Sequence, residues 1–427
     1  MNKSHSFISP VRKTPGTRRL PLLSATARRI LLGMLQRLHT GALTVVDGQD
    51  RWHFGPGGDP SVTLTVRHPD FYADAVYGGS IGVAESYMLG HWEADDLIAL
   101  IRLMVRNREV IDGIDEHGLA RLATPLRKAA HWLNRNSRSG SRRNIAAHYD
   151  LGNDFFATFL DSSWMYSCAI FEQPSMTLAE AQTAKLDRIC RKLRLSAQDR
   201  VLEIGTGWGG FALHAARHYG CHVTTTTISR QQHELAAERI RQAGLQDRIT
   251  LLFDDYRDLE GQYDKLVSIE MIEAVGHQYY DTYFECCARL LKPDGQFLLQ
   301  AITIADQRYE AAARNVDFIQ RYIFPGSTIP SVSALLASAT RASDLRVFHL
   351  EDIGPHYATT LRCWRDRFMS SLDRIRELGC DEQFIRMWEF YFCYCAGGFA
   401  ERALGDVQML LVKPGARPAP LLGTIDD

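Results

Sequence analysis

No Asp or Glu occurs before Asp47, whereas Lys3, Arg12, Lys13, Arg18, Arg19, Arg28, Arg29 and Arg37 all precede it. A leading segment that carries cations alone suits an anionic partner such as a lipid headgroup. A frayed, disordered terminus accounts equally well for roughly the first 20 residues. The whole chain has a formal net charge of -1, which argues against a nucleic-acid partner. No uninterrupted apolar run is long enough to span a bilayer. The apolar patch at 30–35 is broken by Gly33, is followed by Gln36 and Arg37, and lacks a small-residue cleavage site, so it does not read as a secretory signal. Metal-type cysteine spacing is missing too: Cys286 and Cys287 are adjacent, and Cys393 and Cys395 are too close for a CxxC pair. No HExxH occurs among the histidines, so no metal site is expected. Scattered thiols in a long chain fit a reducing cytoplasm better than a disulfide framework.

What is present falls into two patterns. Ala27, Ile30, Leu31, Met34, Leu35 and Leu38 recur at helical spacing, which predicts an amphipathic helix over 26–38 with a basic face. Such a helix could lie on a membrane surface, although packing its stripe inward is the commoner outcome. Short strand-like runs at 43–46, 52–54 and 62–66, then helical periodicity over 81–107, predict a small α+β domain across 1–133. The polar, basic stretch NRNSRSGSRR at 134–143 reads as a linker. Residues 144–427 form the second domain. There Thr177 and Glu180 have capping-box spacing, and β-rich runs at 201–204, 222–228, 249–253, 266–269 and 297–302 alternate with helices. Two later runs, 346–350 and 407–412, could complete the sheet. This alternation predicts an α/β, Rossmann-like, mostly parallel doubly wound sheet. The long stretches 306–341 and 357–399 are expected to cover a substrate site.

The sequence VLEIGTGWGG at 201–210 follows a hydrophobic run and leads into a helix. Gly205 and Gly207 allow a tight turn, and the helix start offers free N–H groups. Glu203 before the first glycine can accept from an ammonium, which favours S-adenosylmethionine over a dinucleotide. The second strand ends in Thr224–Thr227 with no acidic residue for a ribose, which counts against NAD. Thr227 or Gln232 would supply neutral contacts instead.

The segments HYDLGNDFF (148–156), MYSCAIF (165–171), VLEIGTGWGG (201–210), TISRQQ (227–232), DYRDL (255–259), SIEMIEAVG (268–276), RYIFPGSTIPS (321–331) and YATTLRCW (357–364) resemble the cyclopropane-fatty-acyl-phospholipid synthases. IGVAESYMLGHWEADDL (81–97) is similar to their N-terminal domain, and the mycolic acid cyclopropane synthases share the catalytic half. The resemblance implies a seven-stranded methyltransferase fold, S-adenosylmethionine as donor, and bicarbonate as base. It places the cofactor on Tyr166, Ser167, Glu203, Gly205, Thr206, Gly207, Gly209, Thr227 and Gln232, with Tyr256 and Arg257 near the adenine. It places bicarbonate on Cys168, Glu273, Tyr322 and the backbone around Ile302. At Gln300 the family often has His.

The implied reaction is cyclopropanation of the cis double bond of an unsaturated phospholipid acyl chain. It implies peripheral contact with the inner face of the membrane and a homodimer. Gln300 keeps open a sister chemistry that yields methylene- or methyl-branched chains. A non-catalytic protein that binds cofactor and lipid is the alternative of another class.

Overall fold

A computed structural model describes residues 22–110 and 151–422. The proposed linker at 134–143, and the disorder expected for the leading segment, lie outside the described residues. The first unit comprises α1 (Leu22–Leu35), β1 (Gly41–Asp47), β2 (Asp50–Gly57), β3 (Ser61–Val66), α2 (Asp70–Met88), β4 (Trp92–Ala94) and α3 (Leu97–Arg106). Its sheet has the order β2-β1-β3-β4. Of the stripe, Ala27, Leu31, Leu35 and Leu38 are buried and Met34 partly so, with α1 packed on α2, while Ile30 stays exposed. That stripe is therefore core and is not free to lie on a membrane.

The periodicity over 81–107 is not one helix. Helix α2 begins at Asp70 and breaks internally at Gly79 (φ 63°, ψ -152°). Gly90, at φ 72°, turns the chain into β4 before α3 starts under the Asp96 cap. Apolar spacing survived the turn, but a glycine in the left-handed region ends a helix regardless of periodicity.

The second unit runs α4 (Leu178–Leu193), β5 (Arg200–Ile204), α5 (Gly210–Tyr219), β6 (His222–Thr226), α6 (Arg230–Gln242), β7 (Ile249–Leu252), β8 (Tyr263–Ile269), α7 (Tyr280–Leu290), β9 (Leu291–Ile304), α8 (Asp306–Arg314), α9 (Val332–Ala342), β10 (Arg346–Asp352), α10 (Gly354–Ser370), α11 (Glu382–Ala400) and β11 (Leu404–Val412). The capping box forms in full: Thr177 accepts from the backbone of Glu180, whose carboxylate takes the Thr177 N–H. Ser229, Ser331 and Asp381 cap α6, α9 and α11 more simply, each side chain accepting one backbone N–H of the first turn.

The sheet has seven strands in the order β10-β11-β9-β8-β5-β6-β7. Strands β5 to β9 pair in parallel, while β11 is antiparallel to both β9 and β10. Both late runs thus complete the sheet. The order reverses beside β5, so a crevice opens at its carboxyl end, where α/β sheets take ligands.

The two units share one hydrophobic core. Helix α11 is the common element and packs on α2, α3 and α10. A Cβ on Gly397 would stand 2.6 Å from Ile101 Cγ2, so glycine is what lets α3 approach α11. Glu401 receives Arg102 and Arg106, each at 2.7 Å, and the Tyr87 hydroxyl donates to Glu389 at 2.9 Å.

Candidate active site

One cavity of about 990 Å³ opens at the carboxyl end of β5. Gly205 (φ 101°) and Gly207 (φ 52°) hold its floor in backbone conformations that a side chain would strain. The N–H groups of Gly205 and Thr206 both reach the carbonyl of Thr226, at 3.1 and 3.0 Å, and tie the loop to β6. Glu203, the penultimate residue of β5, is buried and accepts from the Thr225 hydroxyl at 2.6 Å. Burial pushes its carboxyl up to about 8.

Most of the residues expected at the cofactor line this cavity: Tyr166, Ser167, Glu203, Gly205, Thr206, Gly207, Thr227, Gln232, Tyr256 and Arg257. Gly209 is not in the lining; at φ 84° it is the residue from which α5 starts. Thr227 donates to Gln232 Oε1 at 2.8 Å, so the two neutral groups form one polar edge. Asp254 and Asp255 also line the cavity, and Asp255 clamps Arg257 through both carboxylate oxygens. The second strand ends without an acid, as its sequence shows; the acids at this end of the sheet follow the third strand.

Where the glycine floor meets the apolar wall stand two carboxyl groups. Glu273 accepts the N–H of Ile302 through Oε1 at 2.5 Å, while its buried Oε2 has no protein partner. Burial first, and then the charge of Glu270, push Glu273 up to about 8. Glu270 has φ 48°. Its Oε1 accepts the backbone N–H of Cys168 and the Gln300 amide, each at 2.8 Å, and its Oε2 accepts the Tyr357 hydroxyl at 2.6 Å. Gln300 donates as well to Asp406 at 3.2 Å and accepts from Gln408 at 3.1 Å.

The five expected catalytic residues therefore separate. Glu273 and Ile302 line the cavity together. Gln300 is buried behind them and holds Glu270. Cys168 presents its backbone N–H to that carboxylate, but its thiol turns to the carbonyls of Ala169 and Ile353. Tyr322 does not join the group. It sits in the π-helical turn Ile319–Ile323, and its hydroxyl donates to Glu85 of α2. The tyrosine that reaches the cluster is Tyr357, within the motif YATTLRCW, and it was missed along with Glu270. Motif order along the chain could not show which tyrosine the helices turn inward.

A cradle of the Cys168 N–H, the Gln300 amide and the Tyr357 hydroxyl suits one carboxylate-like anion, and Glu270 already fills it. A bicarbonate ion, implied by the resemblance, would meet these three donors already engaged by Glu270.

Apolar lining comes from both units. Ile81, Ile101, Met104 and Val105 of the first unit face Ile319, Phe324, Leu361, Tyr391 and Phe399 of the second. The two long stretches expected to cover the site, 306–341 and 357–399, both contribute.

A glycine loop at the switch point of this sheet, with a buried acid ahead of it, defines an S-adenosylmethionine-dependent methyltransferase. Comparison with known proteins narrows the class. The mycolic acid cyclopropane synthetase family model matches residues 136–409. A tuberculostearic acid methyltransferase of Mycobacterium tuberculosis is 38% identical over 92% of this chain and 93% of its own. The cyclopropane-fatty-acyl-phospholipid synthase of Escherichia coli is 38% identical over 82% of this chain and 87% of its own. Among solved structures, the mycolic acid cyclopropane synthase CmaA1 complexed with SAH and CTAB is 32% identical with a TM-score of 0.60, covering 64% of this chain and 98% of that one. The chain belongs to the mycolic acid cyclopropane synthetase family and is a methyltransferase.

Proposed function

We propose that this enzyme transfers a methyl group from S-adenosylmethionine to the cis double bond of an unsaturated phospholipid acyl chain and closes a cyclopropane ring. One observation carries the reading: a glycine-loop floor and a long apolar wall share a single cavity, with carboxyl groups at their junction. An isolated alkene is a weak nucleophile, so the sulfonium methyl must be held in line with it. The π pair takes the methyl, sulfur keeps the C–S pair, and a cation forms on the neighbouring carbon. Loss of a proton from the new methyl closes the ring, and an apolar enclosure keeps water from quenching the cation.

In this reading Glu203 takes the cofactor ammonium, the Thr227–Gln232 edge takes the ribose, and Tyr256 with Arg257 borders the adenine. The catalytic domain spans 144–427. The smaller domain, 1–133, supplies acyl-chain wall. The enzyme works as a peripheral protein at the inner face of the membrane and pairs as a homodimer. No described helix is long and apolar enough to cross the bilayer. The similarity to a tuberculostearic acid methyltransferase supports a second reading, a methylene- or methyl-branched product.

Incubation with methyl-labelled cofactor and oleoyl phospholipid vesicles tests both. Ring protons in the product NMR spectrum support cyclopropanation, and branch protons support the second reading. Cofactor binding without any product would leave a non-catalytic binder. A further result is expected from Glu203. Its carboxyl is neutral at pH 7 in the empty site and must ionise to pair with an ammonium, so cofactor binding below pH 8 releases about one proton. Calorimetry at pH 7 in buffers of different ionisation enthalpy should show that release, and Glu203→Gln should abolish it. Heats independent of buffer would rule out the pairing.

A further inference from the structure

Glu270 holds an unusual position. It is a non-glycine residue at φ 48°, a conformation that costs about 1–2 kcal/mol, and such strain persists where the surroundings hold the residue in place. What holds it is visible. Its own N–H reaches the Gln300 carbonyl at 2.8 Å, and its two carboxylate oxygens collect three donors from three distant parts of the chain. Glu270 also lines the cavity, beside Glu273, Ile302 and Tyr357.

We infer that Glu270 is the built-in base of this enzyme: its carboxylate, seated in the cradle of Cys168, Gln300 and Tyr357, removes the proton that closes the ring, and bicarbonate takes no part. The inference rests on the reaction proposed above. A carboxylate presents the same O–C–O group as bicarbonate, so one can replace the other without changing the donors around it.

The step balances. A lone pair of a Glu270 oxygen takes H⁺ from the transferred methyl. The C–H pair forms the third ring bond to the cationic carbon, and Glu270 becomes the neutral acid. It returns the proton to water once the product has left. No oxidant or reductant is needed.

The neighbouring acids are less suited to the task. Glu273 is pushed up to about 8, and Asp406, fully buried, is pushed well above the usual carboxylate range. At pH 7 Glu273 is therefore mostly protonated, and burial and the charge of Glu270 disfavour ionisation of Asp406. Lys185 lies near Glu270, buried with its Nζ on the Ser167 hydroxyl at 2.6 Å; burial lowers its pKa, and the charge of Glu270 opposes that fall.

Two measurements decide the matter. In the first, ¹³C-bicarbonate is titrated into the full chain loaded with S-adenosylhomocysteine and followed by NMR line broadening. The wild type should show no saturable binding. Glu270→Gly, which suits the positive φ and empties the cradle, should bind bicarbonate. In the second, turnover is measured in CO₂-free buffer and with added bicarbonate. Wild-type turnover should not change. Glu270→Gln should lose on the order of 100-fold or more, the usual contribution of a general base, with S-adenosylhomocysteine affinity held within about threefold. Glu270→Gly should regain activity with bicarbonate. Saturable bicarbonate binding by the wild type, or wild-type turnover that needs it, overturns the inference. The binding measurement needs no turnover, so it still decides the question if the proposed reaction itself fails. Product formation that depends on bicarbonate would keep the reaction and discard Glu270.

Discussion

Gly205→Ala is expected to weaken S-adenosylhomocysteine binding by about 10- to 100-fold while the protein stays folded. At φ 101° a side chain is strained by about 1–3 kcal/mol. The new Cβ would also stand 3.2 Å from Met271 Cγ. The loop can relieve that strain only by giving up its two hydrogen bonds to the Thr226 carbonyl, and those bonds aim its backbone at the cavity. The loss should therefore fall on binding: isothermal titration would report it, while the thermal midpoint moves by a few degrees at most. An affinity within twofold of wild type would mean that the loop does not carry the cofactor.

Lys185→Met should lower the unfolding free energy by about 3–5 kcal/mol, the usual result of removing one member of a buried charge group. Lys185 is completely buried among Glu270, Asp406, Asp161 and Cys168. Burial leaves its pKa lowered, and the charge of Glu270 leads the neighbours that oppose that fall. Methionine matches its length but leaves Glu270 uncompensated. Urea denaturation should show the midpoint falling with an unchanged slope. A loss under 1 kcal/mol would show that Lys185 contributes little charge there.

The catalytic half was legible because its signals are local. The Thr177–Glu180 box, the strand–helix alternation and the glycine loop each lie within a few residues, and each fixes its own backbone conformation. The first unit was less so: 81–107 reads as helical throughout because its apolar spacing continues through Gly90 and β4, and the start of α2 at Asp70 gives no cap signal. At the site, all the residues expected at the cofactor except Gly209 line the cavity, whereas Tyr357 and not Tyr322 reaches Glu270. Both tyrosines lie in segments that carry the resemblance. Only the packing of α10 against β11 and α11 decides which ring turns inward.

By itself, the sequence determined the class of fold, the donor cofactor and the turn conformation of the glycine loop, since short-range sterics and capping bonds need no distant partner. Tertiary structure decided the rest. It brought residues 168, 270, 300 and 357 to one carboxylate, set the first unit's apolar side chains into the cavity wall, and buried the α1 stripe in the core. Hydrogen bonds between groups 30 to 102 residues apart leave no periodic trace in a chain, and a glutamate held at positive φ is not readable until its partners are in place.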